Sequence, residues 1–178
     1  VTGYNGTLLH YDGKTWNKID TGESRSLTNI WGDSPDNIYI VTWEPGNIMH
    51  YDGKSITKML VSEGIPIFDV WGTASDNIYA VGNYNSIIHW NGNEWQIIEK
   101  VDDLFPQYYT IWGNSSNDIY IAGNYGLVKH FNGDSWNQVD NLDIDIDITG
   151  FWGSSPSNIY GVGDRGEFVH FNGTSWER

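Results

Sequence analysis

The chain has 178 residues, 39% of them apolar and 15% aromatic, with no cysteine and with 9 Lys+Arg against 23 Asp+Glu, a net charge of −14. The absence of cysteine excludes disulfides and thiolate chemistry. The excess of carboxylates argues against nucleic acid and anionic membrane surfaces, which are held by lysine and arginine neutralising phosphates, and no apolar run reaches the roughly 18 residues of a membrane span.

Abundant Trp, Tyr, Ile, Asn and Gly with little Leu favour strands and tight turns, and no long stretch has a helical apolar period. In chain order, the first segment predicts a strand through His10-Tyr11, a turn at Asp12-Gly13 and a strand through Trp16. Asp-Gly between apolar runs is a strong hairpin signal. The strand Thr28-Asn29-Ile30-Trp31-Gly32 follows, then the turn Asp33-Ser34-Pro35-Asp36, then the strand Asn37-Ile38-Tyr39-Ile40-Val41. A hairpin leads to a strand through His50-Tyr51, and Asp52-Gly53 turns the chain into a fourth strand.

The same order then recurs. Trp-Gly stands at Trp31, Trp71, Trp112 and Trp152, spaced by 40, 41 and 40 residues. His followed by an aromatic stands at His10, His50, His89, His130 and His170. Four residues before each His is Gly6, Gly46, Gly126 or Gly166, with Asn85 in the third unit; both residue types tolerate the positive φ of a short hairpin. The third strand of each unit is apolar on both faces, so both faces should be buried, as in sheets stacked around an axis. The expected fold is an all-β propeller of antiparallel four-stranded blades in one domain, residues 1–178. About five blades are expected, in units near 1–26 (incomplete), 27–66, 67–107, 108–147 and 148–178, with about nineteen strands and the Trp-Gly strands nearest the axis.

The pattern Ile-Trp-Gly, Asp/Asn-Ile-Tyr-x-x-Gly, Gly-x-x-x-His-Tyr/Phe-Asp/Asn-Gly-x-x-Trp resembles propeller repeats of bacterial secreted and surface proteins. It is also similar to the BNR/Asp-box propellers, through Asp12-Gly13-Lys14-Thr15-Trp16, which has one residue fewer between Asp and Trp. That resemblance implies a fold shared by glycan hydrolases, lectins and assembly factors, and an extracellular or cell-surface location. Glycan-cleaving members need an arginine cluster, whereas Arg occurs here only at 25, 165 and 178.

One His per unit at a fixed offset is too widely spaced for one metal, so each is expected to be buried and bonded to a turn residue or backbone group within its own blade. The alternating Asp143, Asp145 and Asp147 read as a solvated acidic edge rather than a calcium site. No cofactor and no metal are expected. In a propeller, the strand-two-to-three hairpins share a face with the connections between units. That face would gather Tyr4, Trp43, Glu44-Pro45, Tyr84, Tyr125 and Arg165 with Phe105, Tyr108 and Tyr109. Tyr4, Trp43, Tyr84, Tyr108, Tyr125 and Arg165 are the candidate ligand-binding residues. The expected function is a non-enzymatic binding module, lectin-like or for a protein ligand. A glycan hydrolase or a purely structural propeller are the alternatives. The first unit lacks a Trp-Gly strand, so closure is expected through self-association or a longer parent chain.

Overall fold

A computed structural model describes residues 1–43, 47–59, 64–101, 107–139 and 146–178. Glu44, Pro45, Gly46, Phe105, Asp143 and Asp145 lie outside the described residues. The second unit forms a sheet of β3 (Leu27–Ser34), β4 (Asn37–Thr42), β5 (Ile48–Tyr51) and β6 (Ile56–Met59), after the two-stranded β1 (Leu8–Tyr11) and β2 (Trp16–Ile19). The third contains β7 (Ile67–Ala74), β8 (Asn77–Gly82), β9 (Ser86–Trp90) and β10 (Trp95–Glu99). The fourth contains β11 (Tyr108–Ser115), β12 (Asp118–Gly123), β13 (Val128–Phe131) and β14 (Trp136–Gln138). The fifth contains β15 (Ile148–Ser155), β16 (Asn158–Gly163), β17 (Phe168–Phe171) and β18 (Trp176–Glu177). Each of these four sheets is an antiparallel meander whose strands pair in sequence order. The sheets are stacked as propeller blades but do not close into a ring. The described strands number 18 rather than about nineteen, because the strand expected before β1 is reduced to one bridge, Thr2 to Leu8. Among the described residues no helix is long and apolar enough to cross a membrane.

The cores lie between consecutive sheets. Tyr39, Val41 and Ile48 of one sheet pack with Ile67, Val70, Ile78, Ala80 and Ile88 of the next. Tyr79, Val81 and Ile87 on the opposite face of that sheet pack with Tyr108, Ile111, Ile119 and Ile121. Both faces of a central strand are thus buried, as its two-sided apolar pattern requires. The first strands contact one another in series, β3 with β7, β7 with β11 and β11 with β15.

Two repeated contacts join the sheets. The indoles of Trp31, Trp71 and Trp112 each lie on the Trp-Gly glycine of the next unit. A Cβ built on Gly72 would sit 2.9 Å from Trp31, and one on Gly153 would sit 2.6 Å from Trp112. A Cβ on Gly113 would sit 2.3 Å from the Trp71 ring. The strand-four Trp then sets its edge on the strand-two Tyr of the preceding unit: Trp95 on Tyr39, Trp136 on Tyr79 and Trp176 on Tyr120, with centroids 5.9–6.5 Å apart. Trp152, in the last sheet, is 61% exposed.

The histidines act within their own sheets. Nε2–H of His50 donates to Oδ1 of Asn37 at 2.8 Å, and His89 and His170 make the same bond to Asn77 and Asn158 at 2.8 and 2.7 Å. The Asn amide group in turn donates to the strand-one-to-two turn, at Asp33, Thr73 or Ser154. That relay explains why strand two opens with Asn in three of the four sheets. In the fourth unit Asp118 takes the place of Asn, 2.7 Å from His130. Each of these rings also lies against the strand-two Tyr, at centroid distances of 4.2–4.8 Å. The rings are half-buried rather than buried, and His10 is exposed.

Candidate ligand-binding face

The expected hairpin tips do lie beside the connections between units. Asn5-Gly6, Tyr84-Asn85, Tyr125-Gly126 and Arg165-Gly166 have positive φ at both positions, 49–76°. A hairpin turn of this kind matches the right-handed strand twist, which is why two successive left-handed residues occur. Gly and Asn suit the second position; Tyr84, Tyr125 and Arg165 occupy the first at a backbone cost of about 1 kcal/mol each. The tips are tied to the neighbouring backbone. Asn83 and Asn124 donate N–H to the carbonyls of Pro66 and Gln107, at 3.0 and 3.2 Å. This close crossing requires Gly123, where a Cβ would collide with the Gln107 carbonyl.

The candidate residues separate on this face. Tyr4 and Trp43 line one cleft of about 600 Å³ with Gly3, Ser26, Leu27 and Thr28. A smaller cleft of about 250 Å³ adjoins it between Trp43 and Ser24, Arg25 and Ser26. Trp43 is 51% exposed. Tyr84 stands apart, half-buried, with the Lys100 ammonium 5.3 Å from its ring centre. Tyr125 is 66% exposed, and its N–H donates to Oδ1 of Asp147 at 3.2 Å. Arg165 is exposed and pairs with Asp164 at 3.3 Å.

Tyr108 is not a surface residue. It is fully buried in the core between the third and fourth sheets. The register shift between Tyr108 and Thr110 is the reason: this β-bulge inserts Tyr109, which takes the outward position. Burial, and then the Glu99 charge, push the Tyr108 hydroxyl far above its ordinary titration range. That hydroxyl has no hydrogen-bond partner among the described residues. Tyr108→Phe is therefore expected to raise stability by about 1 kcal/mol, the cost of an unpaired buried hydroxyl. Chemical denaturation checks this, and a lowered midpoint would mean that the hydroxyl is bonded in solution.

The same bulge builds a feature that the candidate residues did not include. Phe68 and Tyr109 occupy equivalent bulge positions three residues before Trp-Gly. Trp43 lies 5.0 Å from Phe68, and Phe68 5.4 Å from Tyr109, at interplanar angles of 58° and 56°. A herringbone aromatic strip thus crosses three consecutive sheets from the Tyr4 cleft toward Tyr125. Burial raises the Tyr109 hydroxyl above its ordinary pKa, and the nearby Asp147 and Tyr125 add to it.

Beneath the strip runs a hydrogen-bonded ladder. Oδ1 of Asp69 accepts Asn29 Nδ2–H at 2.6 Å and the Val70 N–H at 2.8 Å. Its Oδ2 accepts the Thr110 hydroxyl at 3.1 Å and the Ile111 N–H at 2.9 Å. Thr110 Oγ1 accepts the Phe151 N–H at 3.2 Å, so the ladder links four sheets. Burial drives the Asp69 carboxyl up to about 6, against the pull of these donors. The signal for both features is in the repeat. The slot holding Thr28, Phe68, Tyr109 and Thr149, and the next holding Asn29, Asp69, Thr110 and Gly150, change in every or nearly every unit, while the adjoining Trp-Gly does not.

A larger cleft, about 640 Å³, opens between β1–β2 and the sheet of β3–β6. Its walls include Leu8, Ile19, Ile30 and Ile38, which are packing side chains of the two sheet faces.

No protein-family model and no curated protein sequence matches the chain. Among solved structures, YCF48 from Cyanidioschyzon merolae superposes on 94% of this chain with a TM-score of 0.69 at 11% sequence identity. The match covers 64% of that protein, so the present chain spans less than two thirds of its length. YCF48 bound to a D1 peptide aligns at 12% identity and a TM-score of 0.45, over 95% of this chain and 87% of that one. The first of these likenesses is one of fold, the β-propeller.

Proposed function

We propose that this chain is a binding module without catalytic chemistry, and that its ligand is an extended segment of another protein laid along the aromatic strip. The half-exposed Trp43 indole, standing between two clefts and set at a tilt against Phe68 of the strip, carries this reading. Trp and Tyr offer large, rigid contact area at low entropic cost, and such residues dominate binding energies at protein interfaces. The strained tips at Tyr125 and Arg165 support the same face, since strained backbone clusters at ligand sites. A sugar fits less well. The tilted rings offer no flat stacking platform.

Wild-type chain and Trp43→Ala should be compared on a peptide array, with a glycan array alongside. Peptides retained by the wild type should bind Trp43→Ala about tenfold more weakly, roughly 1.4 kcal/mol, with little change in Tm. Equal binding by both proteins would remove the strip from the site. Glycans held in a Trp43-dependent way would make the module a lectin.

A further inference from the structure

The hairpin tips at Tyr84 and Tyr125 are the same slot of the repeat, at the first position of the same left-handed turn. They are furnished differently. At Tyr84 the chain supplies its own cation, the Lys100 ammonium, 5.3 Å from the ring centre. One repeat later, 41 residues on, the sequence has Asn141 in place of Lys100. Tyr125 is 66% exposed, and no cation–π contact to it is present among the described residues.

The surroundings of Tyr125 are suited to a cation. Its backbone N–H donates to Oδ1 of Asp147, which ties that carboxylate to the hairpin tip. The neighbouring Asp164 is engaged twice, by the Asp147 N–H at 3.2 Å and by Arg165 at 3.3 Å. Oδ2 of Asp147 has no hydrogen-bond partner among the described residues. Tyr109, at the end of the strip, lies near both Asp147 and Tyr125. An aromatic face next to a carboxylate attracts an ammonium or guanidinium group by ring quadrupole and charge together. The net charge of −14 draws a basic partner from a distance. Arg25 stands at the opposite end of the strip, by Trp43.

We infer that the segment bound along this strip presents a lysine or arginine side chain, whose cation rests on the Tyr125 and Tyr109 rings and pairs with Asp147. This rests on the strip being the binding site, as proposed above. It makes the seat at Tyr125 an intermolecular counterpart of the Lys100–Tyr84 contact within the chain.

The test uses fluorescein-labelled peptides of equal aromatic content that differ only in carrying lysine, glutamine or glutamate. Their Kd values are read by fluorescence anisotropy against the wild type, Trp43→Ala, Tyr125→Ala, Asp147→Asn and Asp134→Asn. Asp147→Asn keeps the oxygen that receives the Tyr125 N–H, so the hairpin is preserved while the charge is lost. Asp134 is an exposed carboxylate on the β13–β14 turn, remote from the strip, and serves as the charge control. The lysine peptide should bind the wild type about tenfold more tightly than the glutamine peptide. Tyr125→Ala and Asp147→Asn should abolish that difference, while Asp134→Asn should keep it. Equal binding of the lysine and glutamine peptides, lost in Trp43→Ala, would overturn this inference and leave the binding site standing. Equal loss in Asp134→Asn and Asp147→Asn would reduce the effect to net charge and also overturn it. Binding of every peptide without dependence on Trp43 would overturn the binding site itself.

Discussion

Trp71→Ala is expected to lower the unfolding free energy by about 3 kcal/mol, and Gly113→Ala by about 2–3 kcal/mol, with the two losses strongly coupled. The Trp71 indole fills the space that a Cβ on Gly113 would occupy. Removing the indole leaves a void against the core between the third and fourth sheets, the cluster on which it packs. Adding the methyl group drives the indole off its seat, and the seat is backbone, which cannot yield. In the double variant the methyl group enters the void. The Gly113→Ala cost should therefore largely disappear in a Trp71→Ala background. Urea denaturation of the four proteins measures this cycle. Additive losses would show that Trp71 and Gly113 do not share a contact in solution, and the account of how the sheets are joined would fail.

The second large effect is at Asp69. Asp69→Ala is expected to cost about 3–5 kcal/mol, because it leaves four donors from three sheets without an acceptor in a buried place. The pH dependence has a definite sign. The folded carboxyl titrates at about 6, above the ordinary 3.8, because burial penalises the charge. The folded state therefore holds this proton more tightly than the unfolded state does. Stability from this group is greatest below about pH 4 and falls as pH rises through 6, by at most about 3 kcal/mol. Exposed turn carboxylates act oppositely and lower. Asp12 is held down to about 2, chiefly by the Thr15 and Lys14 backbone N–H groups, so its contribution is lost only as pH falls below about 4. Burial lowers the His89 pKa, which removes stability as pH falls below about 6.5 and partly masks the Asp69 slope. The difference between wild type and Asp69→Asn isolates it. Asp69→Asn should be less stable throughout, since its amide group would face donors, and the decline between pH 4 and 6 should be absent from it. An unchanged decline would assign the titration to another group.

The architecture was legible because its causes are local or strictly periodic. Asp-Gly and Asn-Gly turns, the recurring His-aromatic pair and the two-sided apolar strands depend on residues close in sequence. The histidines bond within their own sheets to Asn37, Asn77, Asp118 and Asn158, which open strand two rather than lie in a turn, 12 or 13 residues from each ring. Tyr4, Trp43, Tyr84, Tyr125 and Arg165 all lie in the hairpins that lead into a His strand, because the repeat fixes their distance from that strand.

Other features depended on contacts that alternation and hairpin order cannot register. A single bulge after Ile67 and after Tyr108 resets the inside–outside pattern, so Tyr108 enters the core and Tyr109 is left half-buried. Phe68 joins Trp43, and Asp69 joins Asn29 and Thr110, across gaps of 25 to 41 residues. The sequence by itself determined the repeat, the strands and the turns, since each is stabilised within one unit. Only the stacking of one sheet on the next decided which aromatics form a strip and which carboxylate is buried, because those side chains find their partners in a neighbouring unit.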